Sequence, residues 1–158
     1  MGTTKGERRL ARAISILALG GAMVAVTGCG PLLKETSDGD FAETIPAALA
    51  ASDIGITHSY AEKTISGFTF YLSVGVDLDH DEASADDLAG ILRIILENND
   101  LPSDKIDLGV NGSDEESIDL EALVQSISPE LEFSSSSYGD IQVTNDQAIA
   151  IVEAVWGE

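Results

Sequence analysis

Phe68-Thr69-Phe70-Tyr71-Leu72-Ser73-Val74-Gly75-Val76-Asp77-Leu78 is the stretch on which the fold turns. Phe68, Phe70, Leu72, Val74, Val76 and Leu78 recur at every second position, which predicts a long strand with one apolar face. Upstream, Ile54, Ile56, His58 and Tyr60 alternate in the same way, so the two stretches are expected to pair as a hairpin. Pairing Thr64 with Phe68 across Ile65-Ser66-Gly67 sets Tyr60 opposite Leu72, Ile56 opposite Val76 and Ile54 opposite Leu78. Gly67 then holds the loop position that calls for a left-handed residue. A two-residue turn at Ser66-Gly67 would instead bring Lys63, Ser59 and Thr57 against the apolar row, so burial favours the three-residue loop.

Downstream, Ser84-Ala85-Asp86-Asp87 has the form of a capping box, and Leu88, Ile91, Leu92 and Ile95 follow as a helical stripe widened by Ile94 and Leu96. Asn98-Asn99-Asp100 and Pro102 end that helix, and Lys105–Val110 reads as a strand with Ile106, Leu108 and Val110 inward. A strand, helix and strand of these lengths suggest a right-handed crossover, with the third strand parallel to the second. Asn111-Gly112-Ser113 is a turn, which Asp114-Glu115-Glu116 either continues or converts into another helix. Leu120, Leu123, Val124 and Ile127 form a second stripe stopped by Pro129. Leu131 and Phe133 suggest a short strand, Ser134 to Ser137 a polar loop, and Ile141 with Val143 a brief last strand. Thr144 or Asn145 caps a closing helix in which Ala148, Ile151, Val152 and Val155 face inward and Trp156 anchors the end. Before the hairpin, Phe41, Ile45, Ala48 and Leu49 predict a short helix, with Pro46 in a first turn after a cap near Thr44. The expected fold class is α+β. A small mixed sheet is built on a long β-hairpin, with three or four helices packed on it, as a loosely ferredoxin-like two-layer sandwich over residues 41–158.

The front of the chain is different in kind. Lys5, Arg8, Arg9 and Arg12 face a single acid, Glu7, and no charge occurs from Ala13 to Gly28. A basic segment followed by an apolar one is the pattern of an export signal. The apolar run is shorter than the roughly 20 residues that cross a hydrocarbon core as a helix, and Gly20-Gly21 interrupts it. Arg8-Arg9 invites a twin-arginine reading, but the flanking Glu7 and Ala11 fit it poorly and the general secretory route is the expected one. The run closes on Val26-Thr27-Gly28-Cys29, which supplies the only cysteine. This tetrad resembles the lipobox of bacterial lipoproteins. The resemblance implies diacylglyceryl transfer to the Cys29 thiol, cleavage before it, and in many bacteria acylation of the new amine. Two acyl chains give stable attachment where one is marginal. Residues 1–28 are thus expected to be a signal peptide and 29–40 a lipid anchor and flexible tether, with the domain outside the cytoplasm on the cell membrane. The plan as a whole resembles small uncharacterised lipoproteins of high-GC Gram-positive bacteria.

The chain carries 8 basic and 28 acidic residues, and the leader takes 4 and 1 of these, so the segment from Cys29 onward has a formal charge near −23. Nucleic acid is excluded as a partner, because phosphate contacts need a basic patch. An anionic lipid surface would also repel the domain, so the lipid must hold it. With Cys29 consumed, no disulfide forms, and the fold relies on burial alone.

Motifs for chemistry are few. Asp77-Leu78-Asp79-His80-Asp81-Glu82 has acids at alternate positions, as an EF-hand calcium loop does. Glu82 stands where that loop needs glycine and Leu88 where it needs a bidentate glutamate, so no metal is assigned. The acids are instead expected to solvate the loop and favour the positive end of the following helix. His58 is expected on the inward row of its strand as a hydrogen-bonded core histidine. No nucleophile elbow, phosphate loop or zinc ligand set is present. No cofactor or catalytic residue is assigned, and Cys29 is the one site residue, for lipid attachment. The sequence therefore points to a membrane-anchored lipoprotein serving as a binding or interaction module of the envelope. Its acidic face is expected to meet an unknown protein partner, a basic one, or divalent cations. The alternative is a carboxylate-based hydrolase.

Overall fold

The computed structural model describes residues 39–135 and 138–157. The expected signal peptide 1–28, Cys29 and the expected tether up to residue 38 lie outside the described residues, as do 136, 137 and 158. The element order is α1 (Phe41–Ala50), β1 (Ile56–Ser66), β2 (Thr69–Leu78), α2 (Ala85–Asn98), β3 (Lys105–Asn111), α3 (Leu120–Ile127), β4 (Ser134–Ser135), β5 (Ile141–Val143) and α4 (Asn145–Trp156). The fold is α+β, with a mixed five-stranded sheet in the order β1-β2-β3-β5-β4 and four helices. β2 and β3 are parallel and adjacent, and every other pairing is antiparallel. The ferredoxin-like likeness does not extend to this order, since there the strands of each βαβ unit are split by a third, whereas here α2 joins direct neighbours.

Leu72, Val74, Val76 and Leu78 of β2 are buried together with Ile106, Leu108 and Val110 of β3 and Ile141 and Val143 of β5. They share one core with Ile45 and Leu49 of α1, Leu88, Ile91, Leu92 and Ile95 of α2, Leu120 and Val124 of α3, and Ala148 and Ile151 of α4. The amphipathic stripes thus converge on one face of the sheet. Ser84 caps α2 by accepting a bond from the Asp87 amide, and Asp87 returns one from the Ser84 amide. Thr144 and Gln147 make the same box for α4. Each box satisfies two amides that a helix start leaves without intrahelical partners. Trp156 packs at the edge of the core and ties α4 to α2, its indole nitrogen donating to Asp86 at 2.9 Å while Arg93 lies over its ring.

The hairpin register differs from the sequence expectation. Ser66 pairs with Thr69, so the turn is Gly67-Phe68, with Gly67 at φ +64 in the first central position, as a type II′ turn requires. Ala61 then opposes Val74, Ser59 opposes Val76 and Lys63 opposes Leu72. Tyr60 and His58 move to the other face, opposite Gly75 and Asp77, and Phe68 is fully exposed at the tip. A bulge between Ile56 and His58 restores the phase, and Ile56 pairs with Leu78. The reason is α1. Phe41, Ile45 and Leu49 cover the outer end of the core beside β1, so the edge strand need supply only the small, buried Ala61 there.

Two further expectations are corrected. α1 starts at Phe41 after Asp40, whose carbonyl accepts from the Glu43 and Thr44 amides, so Pro46 lies inside the helix and not in its first turn. The fourth strand falls on Ser134-Ser135, pairing with Gln142 and Ile141, and not on Leu131 and Phe133. Phe133 and Leu131 pack beside the core as loop residues.

Candidate functional site

The pleat that buries Leu72, Val74 and Val76 turns Ser73, Gly75 and Asp77 to the opposite face, where Asp107, Gly109 and Asn111 of β3 lie beside them. Gly75 and Gly109 are register partners on the two parallel strands. Two glycines side by side in mid-sheet leave a patch of bare backbone, the usual mark of a close approach from above. Both approaches are occupied. The Tyr60 ring, from β1, lies directly over Gly75, and Asp140 Oδ1 comes within 2.8 Å of where a Gly109 Cβ would stand. Between these two walls is an open cleft of about 360 Å³.

Glu62, Asp77, Asp107 and Asp140 line the cleft, and no Lys or Arg does. Asp107 is perturbed by its surroundings. Burial raises its carboxyl above the ordinary range, the charge of Asp140 adds to the rise, and a hydrogen bond from Gln142 opposes it. The Tyr60 hydroxyl is likewise pushed up, by partial burial first and then by Glu62, Asp140, Asp107 and Asp77. A half-buried carboxyl beside a second carboxylate gains from a positive charge, because a cation relieves both the repulsion and the loss of water. Asp77 is held at the rim by the Asn111 amide nitrogen at 2.9 Å, with the His58 ring 3.3 Å away. Expected in the core, His58 has a side chain 69 % exposed, a direct result of the register described above.

The remaining acids of Asp77–Glu82 divide, and Asp81 and Glu82 line a second open pocket with Asp114, Glu116 and Asp119. Asp79 binds His80 Nδ1 at 2.7 Å, Asp81 binds the Ser113 hydroxyl, and Asp77 belongs to the cleft. His80 reaches its second carboxylate, Asp87, at 3.6 Å through Nε2. Its pKa is raised, chiefly by the hydrogen bond to Asp79, with partial burial opposing. Among the described residues no three His, Cys, Asp or Glu side chains are grouped so as to hold a metal ion, and no helix is long and apolar enough to cross a membrane. Cys29 lies outside the described residues.

Asp107 and Asp140 are not among the residues the sequence singles out, and Tyr60 enters there only as an inward residue of the hairpin. The available sign was glycine at the outward positions of two predicted strands, Gly75 and Gly109, with an acid two residues from each at Asp77 and Asp107. No protein-family model, curated protein or solved structure matches the chain.

Proposed function

We propose that the chain is a membrane-anchored extracytoplasmic lipoprotein whose domain is a binding module of the cell envelope, receiving a cationic group of a partner on the open face of its sheet. The single observation that carries the binding reading is the glycine-floored cleft between Tyr60 and Asp140, lined by four carboxylates and no basic side chain. An ammonium or guanidinium seated there would pair with Asp107 and Asp140 beside the Tyr60 ring. The anchor rests on Val26-Thr27-Gly28-Cys29 and the basic, then apolar, segment before it. The test is a photocrosslinking residue placed at position 60 in intact cells, compared with one at the exposed Gln125 of α3. A protein adduct formed from position 60, absent from position 125 and lost on Asp107→Asn with Asp140→Asn, is the expected result. The same adducts from both positions would contradict it.

One observation favours the alternative of a carboxylate-based hydrolase: Asp107 is held toward its neutral form beside the charged Asp140, as an acid and an anionic partner would be. Turnover of an envelope glycan that disappears in Asp107→Asn, with the fold retained, would establish it. Partner capture without turnover supports the binding module.

A further inference from the structure

The hairpin tip is built against the ordinary logic of a surface. Phe68 is 101 % exposed, Ile65 62 % and Phe70 38 %, so three large apolar side chains stand together where the strands run out beyond the core. Ile65 and Phe70 are direct partners across the hairpin, and Phe68 is in the turn that joins their strands. Single exposed apolar residues need no explanation, but a contiguous cluster marks a surface that meets something. Lys63 lies over the Phe70 ring at 4.8 Å, and Lys105 is the β3 residue level with Tyr71. Of the three basic residues among those described, Lys63, Arg93 and Lys105, two are therefore at this end of the sheet. The third, Arg93, is stacked on Trp156.

The chain enters the fold at the same end. The amides of Asp40 and Phe41 donate to the Asp100 carboxylate at 2.9 and 3.2 Å, in the loop between α2 and β3. Four residues on, Asp104 clamps the hairpin, its carboxylate accepting from the Phe70 amide at 2.8 Å and its amide donating to the Phe70 carbonyl at 2.9 Å. Asp100 and Asp104 are thus turned to backbone amides, while the acid-rich loops Asp79–Glu82 and Asp114–Glu116 follow the far ends of β2 and β3. Cys29 precedes Gly39 by ten residues, and a chain of that length reaches at most about 35 Å. A lipid on Cys29 therefore holds the point where the chain enters the fold, at the end bearing Phe68, within that distance of the bilayer, while the far end can lie farther away.

We infer that the hairpin tip, through Ile65, Phe68 and Phe70 flanked by Lys63 and Lys105, docks into the interface of the lipid bilayer in which the chain is anchored. This rests on the lipoprotein reading above. Phenylalanine and aliphatic side chains enter the boundary between headgroups and acyl chains, and lysine stems lie along apolar surface while the ammonium stays in water. The acid-rich loops after β2 and β3 lie at the far end, which puts the densest charge of the domain away from the lipid. A second, protein-borne attachment also complements the acyl chains and fixes which way the domain faces, with the open sheet face standing beside the membrane and not against it.

The experiment uses the processed, membrane-borne chain reconstituted in vesicles of equal parts phosphatidylcholine and phosphatidylglycerol. With Cys29 lipidated, Ser66→Cys provides the one thiol for an environment-sensitive fluorophore, and Glu82→Cys at the far end is the control. Emission from position 66 is expected to move to shorter wavelength and to be quenched by headgroup-level spin-labelled lipid. Position 82 should show neither effect, and Phe68→Ser with Ile65→Ser should reverse the shift at 66. Emission at 66 equal to that in water on a chain shown by mass spectrometry to carry its lipid overturns the docking and leaves the anchor standing. A crosslink between position 66 of two copies overturns it in favour of self-association. A free Cys29 thiol on the mature chain removes the anchor and with it the bilayer as occupant.

Discussion

β2 and β3 each present two faces, and the residues that alternate along them do different work. Leu72, Val74 and Val76 with Ile106, Leu108 and Val110 are closed off by four helices, and each is at most 2 % exposed. One residue away on either strand are Ser73, Gly75 and Asp77 with Asp107, Gly109 and Asn111, which line the acidic cleft. Each strand thus carries the core on one row of its pleat and the cleft on the other. The row that stabilises has no polar group to satisfy, and the row that lines the cleft carries a carboxyl, Asp107, held in unfavourable surroundings. Such a group is tolerated because the apolar row beside it holds the fold.

The widest gap between the faces should appear on truncation. Leu108→Ala, at a fully buried central position, should cost about 2–5 kcal/mol by urea unfolding, from lost transfer energy and an unfilled cavity. Ser73→Ala on the opposite row, which gives up one part-buried hydroxyl contact to Thr64, should stay below about 1 kcal/mol. Equal costs would break the comparison. Gly75→Ala sharpens it, because the new Cβ would strike the Tyr60 ring, a movable side chain. The ring should lift, visible as changed Tyr60 ring resonances by NMR. Overall stability should change by less than about 1 kcal/mol, helped by the poor fit of glycine to a strand.

Asp107→Asn should give a smaller and opposite effect. A carboxyl whose folded pKa is raised contributes stability below its unfolded pKa and loses it as pH climbs through the folded one. At pH 7 the charged Asp107 is therefore a burden, and asparagine should raise the melting temperature by an amount corresponding to less than about 1 kcal/mol, since the group is only half-buried and water screens it. The gain should fade in acid, and a loss of stability at pH 7 would mean that Asp107 serves the fold. The smallest effect belongs to His80, whose NMR titration midpoint should lie above the ordinary histidine value of about 6.5. Its raised pKa stabilises below the unfolded value and ceases to do so as pH rises past the folded one. Asp79→Asn should bring the midpoint back down.

Much of the covered face is legible in the sequence because helical and strand periods report burial directly. The stripe Leu88–Ile95, the row Ile106–Val110 and the Ser84 cap follow from spacing and turn chemistry. The parallel placing of β3 against β2 follows from the length of the crossover. The register of β1 does not, because an edge strand owes its burial to a neighbour. Once α1 supplies Ile45 and Leu49 there, the pressure to turn Tyr60 inward vanishes, and the turn at Gly67 decides instead. That single difference carries His58, Tyr60 and Phe68 from the predicted core to the surface, where two of them meet the cleft and its rim and the third makes the tip. Asp140 could not be placed from the sequence, because it comes from a loop beside the three-residue β5. Its position over Gly109 depends on β5 pairing with β3 across some thirty intervening residues.

The most direct test of the division between the two faces is an NMR titration of the chain with a lysine tetrapeptide at low salt. The account predicts saturable amide shifts concentrated at Gly75, Asp107 and Gly109 and abolished by Asp107→Asn with Asp140→Asn. Shifts spread evenly over the carboxylates of Asp79–Glu82 and Asp114–Glu116, with the cleft amides unmoved, would contradict it and make the acidity a general property of the surface.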